Sequence, residues 1–119
     1  MIDHIGLRTQ RMDPMRRFYA ATLAELGYDL SADYGESIAF GEQMPFWIGT
    51  SEAVPSSMHL AFKAPSREAV DRFHAAAMAH GAGDNGAPGL RPHYHEHYYA
   101  AFVIDPDGNN IEAVCHLAP

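Results

Sequence analysis

The hydrophobic positions of this chain fall into short apolar runs broken by two stretches of helical spacing. Ile2–Arg8 is a short apolar run and reads as a first strand, with His4 inside it. Asp13-Pro14 reads as a helix start, with Asp as cap and Pro at the first helical position. Met15, Phe18, Tyr19, Thr22, Leu23 and Leu26 keep the three-and-four spacing of one buried face, and Gly27 ends it. Tyr28–Leu30, Glu36–Phe40 and Pro45–Gly49 are three strand candidates separated by polar or Gly-containing turns. After a loop, Ser57–Ala64 reads as another strand, with His59 inside it. Ser66 caps a second helix whose apolar side is Val70, Phe73, Ala77 and Met78, and Gly81 closes it. Ala82–Pro92 is rich in Gly and Pro and reads as irregular.

The last stretch, Tyr98–His116, predicts two strands joined by a tight turn at Asp105-Pro106-Asp107-Gly108. Pro fixes φ, Asp bonds its own backbone, and Gly accepts positive φ. On the outgoing strand Ile111, Ala113 and Cys115 alternate with Glu112, Val114 and His116. Glu112 is therefore a carboxylate inside an apolar strand. Such a group needs a cation, a proton or a hydrogen-bond partner, because an unpaired buried charge is strongly unfavourable.

The order of elements repeats. A shift of about 55 residues places His4-Ile5-Gly6-Leu7 on His59-Leu60-Ala61-Phe62, and Arg17-Phe18-Tyr19-Ala20-Ala21 on Arg72-Phe73-His74-Ala75-Ala76. Each half is then strand, helix and three strands. The expected fold is α+β: two βαβββ modules, about 1–50 and 57–119, forming one domain over 1–119. Neither half alone buries a comfortable core, so the two are expected to share one sheet system, an open, curled mixed sheet around a cleft.

Composition narrows the function. A net charge of −7 argues against nucleic-acid or anionic-membrane partners. No apolar run is long enough to span a bilayer, and the N-terminus lacks signal-peptide architecture. The single cysteine, Cys115, excludes an internal disulfide and suits a reducing, cytoplasmic compartment. Eight histidines are many for 119 residues and invite a metal hypothesis.

His4 and His59 occupy the same place in the two modules. If the modules are related by a pseudo-twofold axis, both histidines approach it, and Glu112 completes a set of two imidazoles and one carboxylate. That set suits a divalent first-row ion such as Fe, Mn, Zn, Ni or Co and leaves positions open for substrate. Taken singly, a strand histidine is more often a hydrogen-bonded core or surface residue than a ligand.

Asp3-His4-Ile5-Gly6-Leu7, His59-Leu60-Ala61-Phe62 and Asp105-Pro106-Asp107-Gly108-Asn109-Asn110-Ile111-Glu112 together resemble the vicinal oxygen chelate superfamily. That superfamily contains glyoxalase I, fosfomycin-resistance thiol transferases, extradiol dioxygenases and bleomycin-resistance proteins. The resemblance covers essentially the whole chain, and the final hairpin is its most specific part. It implies paired βαβββ modules curling around a cleft, with metal ligands at His4, His59 and Glu112. It also implies a small-molecule substrate and, since paired modules in this family commonly associate, a homodimer. One departure matters: glyoxalase I carries a further Glu or Gln ligand where this chain has Phe46-Trp47-Ile48-Gly49. The chain also lacks a basic cluster for a phosphonate.

The function expected is a small metal-dependent lyase, dioxygenase or transferase acting on a substrate chelated through vicinal oxygens. The alternative is metal-free binding of a small molecule, as in bleomycin resistance. His93–Tyr99 is aromatic and His-rich, and if extended it places His93, His95 and His97 on one face. It reads as a cleft rim, with Tyr99, His95 and His97 as acid–base groups, as an accessory metal site of alternating histidines, or as a solvent-facing loop. Trp47, Phe46, Tyr94 and Arg91 are the candidate substrate contacts.

Overall fold

The changes of hydrophobic period mark real elements in the computed structural model, which describes residues 1–119. The first module is β1 (Ile5–Thr9), α1 (Met12–Ala24), β2 (Leu30–Asp33), β3 (Ser37–Phe40) and β4 (Phe46–Thr50). The second repeats that order as β5 (His59–Lys63), α2 (Arg67–Ala79), β6 (Gly83–Leu90), β7 (Tyr99–Ile104) and β8 (Asn110–Cys115). The fold is the expected α+β arrangement of two βαβββ modules. Each module makes a four-stranded mixed sheet, ordered β1-β4-β3-β2 and β5-β8-β7-β6. In both, the first strand runs parallel to the last, and the remaining neighbours are antiparallel.

Strand parity divides each sheet into two faces. Ile5, Leu7, Phe46, Ile48, Ile38 and Phe40 share one face of the first sheet, and Ala101, Val103, Ile111, Ala113 and Cys115 one face of the second. These two faces and both helices share one core of 21 buried residues. α1 contributes Met15, Phe18, Tyr19 and Leu23, as its spacing predicts, and α2 contributes Ala69, Val70, Phe73 and Ala77. Burial of each large apolar side chain contributes about 1.5–3 kcal/mol. The opposite faces carry no helix. Arg8, Trp47 and Gly49 lie on one, and His59, Ala61, Phe102 and Asn110 on the other, all at least partly exposed.

The final turn ties the modules together. Asp105 is buried, and its Oδ1 accepts from the amides of Asp107 and Asn109, both at 2.9 Å. Its Oδ2 accepts from Asn109 Nδ2 at 2.8 Å and from the hydroxyl of Tyr19 on α1 at 2.5 Å. Asn109 Oδ1 in turn accepts from the Met58 amide at 2.8 Å, just ahead of β5. Burial, reinforced by the Asp105 carboxylate, raises the Tyr19 phenol well above its ordinary pKa, so it stays a donor.

Four elements differ from the sequence reading. β2 is Leu30–Asp33, displaced toward the C-terminus from the Tyr28–Leu30 read as strand. α1 starts at Met12: its N-cap, Arg11, makes no side-chain cap, and Thr9 Oγ1 accepts the Arg11 amide at 2.9 Å instead. Asp13 is thus not the cap but sits in the first turn, where the helix dipole favours it. β1 begins at Ile5, so His4 lies just ahead of the strand rather than inside it. Gly83–Leu90, read as irregular, is the eight-residue edge strand β6. An edge strand tolerates Pro and bulges, and its register with β7 shifts twice, around Gly86. A Cβ at Gly86 would stand 3.0 Å from the Phe102 ring and 3.1 Å from the Arg91 guanidinium, at a φ of +151°. His74 on α2 anchors the same strand, pairing with Asp84 at 3.0 Å and holding that carboxyl below its usual range.

Candidate functional site

The turn at Asp105–Gly108 sets the register of β7 on β8, and that register decides what Glu112 meets. Phe102 pairs with Glu112, and Glu112 pairs with Ala61, so the three share the face without a helix. His59, two residues before Ala61, projects from that face beside them. Glu112 is only 2% exposed although its face is uncovered, because neighbouring side chains enclose it.

Three contacts define the cluster. His59 Nδ1 lies 3.0 Å from the Asn110 carbonyl oxygen. A carbonyl only accepts, so Nδ1 carries a proton; Nε2 is then a lone pair in the neutral ring and a donor to Glu112 in the imidazolium. That Nε2 lies 3.2 Å from Glu112 Oε2. Glu112 Oε1 accepts the hydroxyl of Tyr98. The Tyr98 phenol is pushed up to about 12, first by desolvation and then by its bond to Glu112, so it remains a donor through neutral pH.

His59 and Glu112 are two side chains that could serve as ligands to a metal ion. With the ring neutral, Nε2 and Glu112 Oε2 are two acceptors 3.2 Å apart, which a cation beside them would satisfy; with the ring protonated they form an ion pair. A ring whose other nitrogen donates to a backbone carbonyl is the usual arrangement of a ligating histidine. The structure thus brings His59 and Glu112 together. It does not bring His4 to them: no three His, Cys, Asp or Glu side chains of one chain are placed to hold an ion. His4 is 63% exposed at its side chain, with Nδ1 2.6 Å from Asp3 Oδ1. It lines an apolar crevice of about 330 Å³ with Leu23, Phe46, Leu60 and Phe62, a crevice that neither His59 nor Glu112 reaches.

The other candidates scatter. Arg91 comes close: its guanidinium lies 5.4 Å above the Phe102 ring and donates to the carbonyls of Gly89 and Ala87. His59 stacks near that ring, with centroids 6.3 Å apart. Tyr94 packs edge-on against Tyr98 and is exposed. His95 stacks on His116, and His97 lies 3.5 Å from Glu96 Oε1. Residues 92–97 form turns instead of an extended segment, so the alternation expected of His93, His95 and His97 does not occur. Trp47 lies on the uncovered face of the other sheet, stacked on Tyr34 with centroids 6.4 Å apart. Phe46 is buried in the core.

Tyr99 corrects the reading by one residue. Its hydroxyl donates to Asp71 on α2 at 2.6 Å, so it faces the helix and not the cluster. Tyr98 is the tyrosine at the site. The signal was present in the sequence: the turn implies Phe102 opposite Glu112, and residues 98, 100 and 102 share a parity.

A sequence profile described as Glyoxalase/Bleomycin resistance protein/Dioxygenase superfamily matches residues 1–113. Among solved structures, a glyoxalase/bleomycin resistance protein from Albidiferax ferrireducens T118 is 29% identical, with a TM-score of 0.81 over 98% of this chain and 97% of that one. Lactoylglutathione lyase from Agrobacterium tumefaciens is 18% identical, with a TM-score of 0.69 over 97% and 92%. Oxidase ChaP-H2 is 20% identical, with a TM-score of 0.67 over 100% and 94%. The last two are similar in fold alone. No curated protein sequence matches this chain.

Proposed function

The chain belongs to the Glyoxalase/Bleomycin resistance protein/Dioxygenase superfamily, and on that premise we propose that it is a small metal-dependent enzyme acting on a small molecule chelated through vicinal oxygens. The observation that carries this reading is the pair of His59 Nε2 and Glu112 Oε2, 3.2 Å apart with the imidazole's other nitrogen tied to a carbonyl. A divalent ion held there supplies Lewis acidity to substrate oxygens.

The third ligand, His4, comes from a second copy. The shared helical core leaves both uncovered sheet faces available, and His4 stands at the edge of the first sheet, away from the pair in its own chain. A homodimer that sets the first sheet of one copy over the second sheet of another unites His4 with His59 and Glu112. It also closes a cleft with Arg91, Phe102 and Tyr94 on one wall and Trp47 on the other. Tyr98 keeps Glu112 oriented.

The Trp47–Tyr34 stack supports the second reading, a metal-free binding protein for a planar molecule. Metal analysis separates the two. Protein dialysed against Co²⁺ and then against buffer should keep about one ion per chain and sediment as a dimer. A metal-free protein after that treatment would favour the binding reading, and a monomer would remove the shared site.

A further inference from the structure

We infer that Tyr98 is the positioning residue of this centre: its hydroxyl occupies Glu112 Oε1 and leaves Oε2, beside His59, as the oxygen that would be free to meet an ion. The inference rests on the metal reading above and adds a residue that acts through Glu112. A glutamate can bind through one oxygen or both, and its side chain has rotamers to spare. Here one oxygen is taken by Tyr98 and the other faces His59.

Tyr98 can hold Glu112 only if it is itself held, and the His- and Tyr-rich turn does this. Its ring meets Tyr94 and His95 edge-on at 5.0 Å and His116 at 5.2 Å. His95 and His116 stack on each other with an interplanar angle of 15°, which braces that collar. The Arg91 amide donates to the Tyr98 carbonyl at 2.7 Å and closes the turn at the start of β7. The aromatic density of residues 93–98 is thereby accounted for by support of one carboxylate.

Co²⁺ titration of the full chain, followed by visible absorption, tests this. Tyr98→Phe should bind Co²⁺ roughly 10–100-fold more weakly than wild type, and its visible band should change as Glu112 gains a free oxygen. Tyr99→Phe, whose hydroxyl goes to Asp71, should leave both affinity and band unchanged. A merely structural role would lower the melting temperature of the metal-free protein without moving the band. Equal affinity and an identical band in Tyr98→Phe would overturn the inference while sparing the metal reading. Failure of wild type to bind Co²⁺ would overturn both.

Discussion

Glu112→Gln is expected to weaken divalent-metal binding by more than about 100-fold, since it removes a ligand and not only a supporting group, and to leave the fold as stable as before. Glutamine keeps the shape of the side chain. Its amide oxygen still accepts from Tyr98, and its NH₂ can donate to His59 Nε2, which now faces Oε2 at 3.2 Å. With the ring neutral, two opposed acceptors become a donor–acceptor pair, so stability without metal at alkaline pH should stay within about 1 kcal/mol of wild type. Metal added at about one hundred times the wild-type Kd should raise the unfolding free energy of wild type by about 2.7 kcal/mol and that of the variant by less than about 0.4 kcal/mol. Urea unfolding with and without Co²⁺ measures both quantities. Equal stabilisation of wild type and variant would mean that Glu112 is not a ligand.

Much of that cluster is legible in the sequence, for a physical reason. The Asp-Pro-Asp-Gly turn fixes strand register, and register fixes which side chains share a face. Glu112 therefore announces itself as a carboxylate in an apolar strand, and His59 follows from the internal repeat. What the sequence hides is less periodic. β6 is built from Gly, Asn and Pro because its backbone packs close to Phe102 and Arg91 at an edge, where strand propensity counts for little. Residues 92–97 turn instead of extending, so the alternation of His93, His95 and His97 is lost. His4 fails to join the pair because symmetry between modules does not require both to face one cleft within one chain.

Asp105→Ala is expected to destabilise the protein by about 3–5 kcal/mol, the cost of leaving several buried donors without an acceptor. One carboxylate serves two turn amides, the Asn109 side chain and the fully buried Tyr19 hydroxyl. Alanine leaves the Tyr19 hydroxyl in an apolar core and releases the turn that sets Glu112 opposite Phe102. Tyr19→Phe removes one donor and a polar atom together, so it should cost about 1 kcal/mol. The double variant should be less than additive, because the two groups share a bond. Denaturant midpoints at unchanged m-value check this. A loss under about 1 kcal/mol for Asp105→Ala would show that the turn does not join the modules.

The central claim is that the site is completed by a second copy, and mixing two inactive chains tests it most directly. His4→Ala and Glu112→Gln protomers, each metal-free as a homodimer, are unfolded together, refolded and titrated with Co²⁺. In a shared site, each mixed dimer keeps one intact set: His4 from the Glu112→Gln chain, with His59 and Glu112 from the His4→Ala chain. The account predicts that about a quarter of the wild-type sites return in an equal mixture. Metal binding that stays absent in the mixture, with both variants folded and dimeric, would contradict it.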